Sequence, residues 1–103
     1  MMKLIVKEEN GRIIGTLEGR LDTAAGPGFM KEMEPLLKNA DKQIILDCAA
    51  LEYISSYCLR AFLALRKASA AKGGKIQIIN MNDKIIKVFK ITGFYKLFDI
   101  KND

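Results

Sequence analysis

The length and composition of the chain are those of one folded domain. It has 103 residues, of which 50% are hydrophobic and 28% are charged. A chain with this much apolar surface is not intrinsically disordered, and its length favours a single hydrophobic core over residues 1–103. It contains no run of the roughly 20 apolar residues that cross a bilayer, so the sequence predicts no membrane span.

The charge of the chain is basic, with 17 Lys and Arg residues against 12 Asp and Glu residues and a net charge of +5. The late lysines are spread over several predicted elements and accompany no zinc-finger spacing or RNA-binding aromatic strand, so they predict a solvated surface and no nucleic-acid partner. Histidine is absent, which removes the commonest general base and the commonest transition-metal ligand. We therefore expect a non-enzyme with no cofactor and no metal.

The two cysteines and the first residues of the chain bear on its compartment. Cys48 and Cys58 have no CxxC spacing and sit among apolar residues, which predicts two buried free thiols. The first residues show no long apolar stretch followed by a small-residue cleavage site. Both features predict a cytoplasmic protein.

The chain is predicted to open with a β-hairpin. Residues Lys3–Lys7 alternate loosely between apolar and polar side chains, as a half-buried strand does, and Arg12–Leu17 read as the partner strand. The Asn10-Gly11 pair between them is a strong hairpin signal, because both residues tolerate positive φ.

An amphipathic helix is predicted next, from Pro27 to Asn39, with apolar residues at helical spacing. Either Asp22 or Thr23 is expected to cap a helix here. Pro35 lies inside the predicted helix, where it either kinks the helix or marks a new first turn.

The middle of the chain predicts a central strand followed by a loop and a long helix. Gln43–Asp47 is apolar on both faces, as is typical of a strand covered on both sides. Cys48–Tyr53 is interpreted as a connecting loop, with Leu51 turned inward. A helix rich in Ala, Leu, Arg and Lys then begins at Ser55-Ser56 and ends before Gly73.

The last third of the chain repeats the alternation of strand and helix. A strand is predicted at Lys75–Asn80, a helix capped by Asn82 or Asp83 and ended by Gly93, and an extended segment from Phe94 to Ile100. The predicted fold is therefore α/β: a mixed sheet of four to five strands, antiparallel in the first hairpin and parallel later, packed with three or more helices.

Two local arrangements are candidate functional sites. Asp22 comes after the second predicted strand and Asp47 ends the third. The two carboxylates either meet at one edge of the sheet or serve as a helix cap and a strand-end charge. Ser55 and Ser56 stand at a predicted helix start, where the first N–H groups lack carbonyl partners. One of them is either an N-cap or a phosphorylation site, since a phosphate there would meet the positive end of the helix dipole, and the same residue can be both.

The sequence resembles the STAS domains, and within them the anti-sigma factor antagonists of bacteria. The resemblance is carried by Leu51–Leu65 with its Ile-Ser-Ser-x-x-Leu-Arg helix start, by the Thr92–Phe98 ending Thr-Gly-Phe-x-x-x-Phe, and by Gly19–Asp22, which is similar to the family's Gly-x-Leu-Asp segment. It covers nearly the whole chain, so we expect one STAS domain over residues 1–103.

The resemblance implies a partner-switching regulator of transcription. Such a protein binds an anti-sigma factor, a serine kinase of the GHKL type, and so frees a sigma factor; the kinase phosphorylates the antagonist and a PP2C-type phosphatase reverses this. Carried over by motif, the phosphoacceptor is Ser56. The partner-binding surface is formed by Asp22, Thr23, Ser55, Ser56, Tyr57 and Arg60. The expected oligomeric state is a monomer or a weak dimer.

The chain departs from the family's pattern at three positions of the helix start. Ser55 replaces a frequent Asp, Tyr57 replaces a small residue, and Cys58 replaces the usual glycine, which places bulk where a partner backbone would approach. The alternative implied by the same family is a STAS subunit that is not phosphorylated and belongs to an ABC-type lipid transport or stress-signalling complex.

Overall fold

The computed structural model describes residues 2–101, which form one five-stranded sheet with helices packed on it. The strands are β1 (Met2–Glu9), β2 (Arg12–Leu21), β3 (Gln43–Ile54), β4 (Lys75–Ile79) and β5 (Asp99–Lys101). The helices are α1 (Gly26–Glu32), α2 (Glu34–Lys38), α3 (Leu59–Lys72) and α4 (Asp83–Thr92), with short 3₁₀ turns at Thr23–Ala25, Ser56–Cys58 and Phe94–Leu97. Within this range no helix is both long and apolar enough to cross a membrane.

The sheet confirms the predicted mixed topology. Its spatial order is β1-β2-β3-β4-β5, with β1 and β2 antiparallel and every later pair parallel. Asn10 and Gly11 have φ values of 53° and 77°, so both central residues of the hairpin turn are left-handed, as a type I′ turn requires. The turn therefore fixes the register in which Leu4 faces Leu17.

The hydrophobic core lies on one face of the sheet. Because each parallel strand is added on the same side of the previous one, right-handed crossovers carry all the helices to that face. Four phenylalanines link the helices there: the ring centroids of Phe29 and Phe62 are 5.8 Å apart, and Phe62, Phe89 and Phe98 contact one another at 5.8–6.3 Å. Residues on the opposite face are more exposed, with Ile5 at 37%.

The predicted loop at Cys48–Tyr53 is wrong. β3 continues through it to Ile54, and β2 likewise runs past Leu17 to Leu21, so that Leu21 pairs with Ile54. The two long strands pair in parallel despite two register shifts, and this backbone pairing stabilises a segment of weak strand propensity. Leu51 is buried, as predicted.

The predicted helix over Pro27–Asn39 is divided in two at Met33. α1 ends at Glu32, and Pro35 lies in the first turn of α2, where its missing N–H removes no hydrogen bond. Of the two alternatives for Pro35, the new first turn is therefore correct. Phe29, Met33 and Leu36 are buried as the helical spacing predicted.

The end of the chain is less extended than predicted. Phe94–Leu97 forms a 3₁₀ turn, and of the predicted extended segment only Asp99 and Ile100 pair with β4, as part of β5. Asn82 caps α4, since its Oδ1 accepts from the Ile85 N–H at 2.9 Å while its Nδ2 donates to the Leu51 carbonyl at 3.0 Å.

Candidate functional site

Two 3₁₀ turns lie side by side at the carboxyl ends of β2 and β3. β2 ends at Leu21 and leads into the first turn, Thr23–Ala25; β3 ends at Ile54 and leads into the second turn, Ser56–Cys58. The Ser55 N–H donates to the Leu21 carbonyl at 2.8 Å. Parallel pairing of the two strands therefore holds both turns at one edge of the sheet.

Both turns are capped, and one cysteine joins them. The Asp22 carboxylate accepts from the Ala25 N–H at 3.0 Å, and the Ser55 hydroxyl oxygen accepts from the Cys58 N–H at 3.3 Å. The Cys58 thiol donates to the Asp22 carbonyl at 3.3 Å. Asp22 and Ser55 are thus the caps among the alternatives that the sequence left open, and Cys58 connects the two turns from below.

Ser56 is exposed at the first position of the second turn, directly before α3. Among residues 2–101 its hydroxyl makes no hydrogen bond, in contrast to that of Ser55. Thr23 is also exposed, in the first turn. The surface at this edge therefore presents two hydroxyl groups to solvent.

Tyr57 and Arg60 form the side of the site that faces α1. The Tyr57 side chain is 44% exposed, and the Arg60 guanidinium carbon lies 5.7 Å from the centre of its ring. The ring packs against Gly26, where a β-carbon would overlap ring atom Cε1 and lie 2.7 Å from Cδ1. A cavity of about 230 Å³ opens between this ring and the α1 side chains Phe29 and Met30.

The structure brings together most of the predicted site residues and separates one pair. Asp22, Thr23, Ser55, Ser56, Tyr57 and Arg60 all lie on or beside the two turns. Asp47 does not lie beside Asp22, because it pairs with Thr16, six residues earlier on β2. The Asp47 carboxylate instead accepts hydrogen bonds from the Ala49 N–H at 3.0 Å and from Asn80 Nδ2 at 3.2 Å. These bonds give Asp47 a structural role at the end of β4.

Gly26 and Met30 are site residues that sequence reasoning missed. Gly26 is buried beneath Tyr57, and Met30 is 43% exposed at the mouth of the cavity. No local pattern could have identified them, since the contact joins α1 to a turn about thirty residues later.

The two cysteines are buried free thiols, as predicted. Burial, with a smaller contribution from the Asp47 charge, raises the pKa of the Cys48 thiol from 9.0 to about 12. A thiol with this pKa is a poor nucleophile at neutral pH. Within residues 2–101 no group of three or more His, Cys, Asp or Glu side chains is placed to hold a metal ion.

The fold and the site together define a small α/β domain that presents paired, capped turns at one sheet edge. A family model, the STAS domain, matches residues 3–103, and the chain belongs to this family. The predicted resemblance is thereby confirmed.

Two curated relatives cover almost the whole chain. BtrV of Bordetella bronchiseptica, a candidate anti-sigma factor antagonist, is 28% identical over 101 residues, which are 98% of this chain and 87% of that protein. The anti-sigma-B factor antagonist of Bacillus subtilis is 28% identical over 96 residues, which are 92% of this chain and 86% of that protein.

A solved structure with the same fold is that of the anti-sigma factor antagonist SpoIIAA from Bacillus. Its unphosphorylated form superposes with a TM-score of 0.79 over 98% of this chain and 88% of that chain, at 16% identity. Its phosphorylated form has also been solved and superposes with a TM-score of 0.72. This likeness shows the fold.

Proposed function

We propose that this protein is an anti-sigma factor antagonist, a cytoplasmic binding protein without catalysis of its own that is switched by phosphorylation of Ser56. The observation that carries the proposal is the exposed Ser56 hydroxyl at the edge of a STAS fold, which makes no hydrogen bond within the described residues 2–101. The names of the two curated relatives support the same role.

In the unphosphorylated state the surface around the two turns binds the anti-sigma factor. The partner-binding residues are Asp22, Thr23, Ser55, Ser56, Tyr57 and Arg60, together with the cavity beside Met30. The half-exposed Tyr57 lies next to Arg60, and tyrosine and arginine are both enriched among the residues that contribute most to binding at protein interfaces. Binding keeps the anti-sigma factor away from its sigma factor.

The anti-sigma factor, a serine kinase of the GHKL type, then modifies Ser56. The hydroxyl oxygen attacks the γ-phosphorus of ATP, so that the Oγ–P bond forms as the bond to the β,γ-bridging oxygen breaks. The hydroxyl proton passes to a base of the kinase and ADP leaves. A PP2C-type phosphatase reverses the change by hydrolysis, which transfers the phosphoryl group to water.

The phosphate ends binding through charge and desolvation. It adds about −1.5 to −2 charges at neutral pH to a surface that loses its bound water when the partner binds, so the charged phosphate would have to be desolvated as well. The Asp22 carboxylate already places one negative charge at the same sheet edge, so repulsion adds to the cost. The Ser55 hydroxyl oxygen, by contrast, already accepts a hydrogen bond as the cap of the second turn.

Phosphorylation and binding assays with the cognate kinase test the proposal. Incubation with the kinase and ATP, read by mass spectrometry, is expected to place one phosphate on Ser56; Ser56→Ala abolishes it, and the matched variant Ser55→Ala retains it. Ser56→Ala is expected to bind the kinase like the unmodified protein. Ser56→Asp weakens binding at least about tenfold, equivalent to about 1.4 kcal/mol.

Two results would contradict the proposal. The first is phosphate on a residue other than Ser56, or none in the presence of an active cognate kinase. The second is equal affinity of Ser56→Ala and Ser56→Asp for the anti-sigma factor. Stable co-purification with a transport ATPase, without a serine kinase, would instead indicate the accessory-subunit role.

A further inference from the structure

We infer that the Arg60 guanidinium binds the phosphate group carried by phosphorylated Ser56, and that it leaves the ring of Tyr57 to do so. The inference rests on the proposed function, because it requires a phosphate at Ser56. Through this movement the Arg60 side chain would couple the negative charge added at Ser56 to a change in the shape of the surface at Tyr57.

The spacing places Arg60 within reach of both residues. The second turn, Ser56–Cys58, runs without a break into α3, so Arg60 is four residues from Ser56 and three from Tyr57 along one helical path. Side chains three and four residues apart are neighbours on a helix surface. In the unphosphorylated protein Arg60 occupies the Tyr57 side, with its guanidinium 5.7 Å from the ring centre.

Arg60 has little to lose by moving. Within residues 2–101 its guanidinium makes no hydrogen bond and no ion pair, and its side chain is exposed. An exposed cation–π contact at this distance is weak. A phosphate offers the planar guanidinium two parallel charge-assisted hydrogen bonds, which are considerably stronger. The equilibrium between the two positions is therefore expected to move toward the phosphate.

The departure of Arg60 changes the surface at Tyr57. The ring contacts both Gly26 and the Arg60 guanidinium, and it forms one wall of the cavity beside Met30. Without the guanidinium, the half-exposed ring is free to leave Gly26. Phosphorylation thus alters both the charge at Ser56 and the shape of the cavity that a partner fills.

The test uses protein with phosphoserine incorporated at position 56 during synthesis, so no kinase is needed. A ³¹P NMR titration gives the second pKa of the phosphate. It is expected to be lower in the otherwise unaltered protein than in Arg60→Ala by about half a unit or more, because a nearby cation favours the dianion. Arg60→Lys is expected to fall between them. Lys67→Ala removes an exposed charge elsewhere on α3 and is expected to leave the value unchanged.

A second measurement follows the Tyr57 ring directly. The ring resonances, assigned by comparison with Tyr57→Phe, are expected to shift on phosphorylation substantially more in the presence of Arg60 than in Arg60→Ala, where only the neighbouring charge acts on the ring. Equal phosphate pKa values with and without Arg60, or ring shifts of equal size with and without Arg60, would overturn the inference. Either result leaves the kinase assay on Ser56 unaffected, so failure of this inference is distinguishable from failure of the proposed function.

Discussion

The ring of Tyr57 lies so close to Gly26 that the glycine has no room for a β-carbon. That carbon would overlap Cε1 and lie 2.7 Å from Cδ1 of the ring. Gly26 itself has φ −52° and ψ −54°, an ordinary helical conformation that alanine also adopts. The requirement for glycine at this position therefore comes from Tyr57 and not from the backbone.

Gly26→Ala is accordingly expected to displace the ring and to weaken the complex with the anti-sigma factor. In a Tyr57→Ala background the same substitution removes no contact, and it is expected to stabilise the fold by up to about 1 kcal/mol through helix propensity. The measurement is a double-mutant cycle of partner affinity and of the free energy of unfolding. Identical effects in the two backgrounds would contradict the predicted coupling.

The two adjacent serines are expected to differ in their contribution to stability. Ser55→Ala removes the hydroxyl oxygen that accepts from the Cys58 N–H, and we expect a loss of about 1 kcal/mol in the free energy of unfolding. Ser56→Ala removes an exposed hydroxyl and should change that free energy by less than about 0.5 kcal/mol. Urea denaturation of both variants measures the difference, and equal losses would show that Ser55 is not the cap.

Gly74 is a second position where the packing requires glycine. A β-carbon there would overlap the Ala40 carbonyl oxygen and lie 2.8 Å from that of Lys42, and both are backbone atoms that cannot swing away. Gly74→Ala is expected to cost about 1–3 kcal/mol in the free energy of unfolding. Gly28→Ala, with no atom within 4 Å of the added carbon, is the matched control and is expected to stabilise α1. Equal unfolding midpoints for the two variants would refute the predicted clash.

The Cys48 thiol is expected to make stability depend on pH in the alkaline range. Its folded-state pKa is raised to about 12, so above pH 9 the unfolded chain loses this proton while the folded protein keeps it. The associated stability is complete below pH 9 and is lost as the pH rises toward 12. Between pH 8 and pH 10.5 the loss amounts to about 2 kcal/mol.

The measurement compares the free energy of unfolding of the unaltered protein and of Cys48→Ala at both pH values. The variant loses packing at each pH, but the difference between the two proteins is expected to shrink by about 2 kcal/mol at pH 10.5. Other groups titrate equally in both proteins and cancel. A difference that stays constant with pH would mean that Cys48 ionises normally in the folded state.

The order of the elements could be predicted from the sequence because each was encoded locally. Asn10-Gly11 specified the hairpin, and Gly73 and Gly93 specified helix ends, where they adopt left-handed φ values of 78° and 81°. Pro35 indicated a break or a new start in the helix but did not decide between them. Such signals depend on one or two residues and need no knowledge of the rest of the fold.

The second half of β3 could not be predicted in the same way. Ala49 and Ala50 have low strand propensity and are exposed, and the extended conformation of this part of β3 is stabilised by pairing of its neighbouring residues and Ala50 with β2, more than thirty residues earlier. The position of the Ser55–Ser56 turn was predictable from its serines. Its contact with Gly26 was not, because it depends on how α1 packs against the turn.

The hydrogen bond from the Ser55 N–H to the Leu21 carbonyl has a consequence for the timing of the proposed switch. Since it fastens the two turns to paired strands, we expect the main chain at this edge to keep the same arrangement in both states of the switch. The two states of such a regulator then differ only in the phosphate ester on Ser56 and in the positions of a few side chains. Its lifetime in each state is then determined by the enzymes that write and erase that bond, and by no slow refolding step of its own.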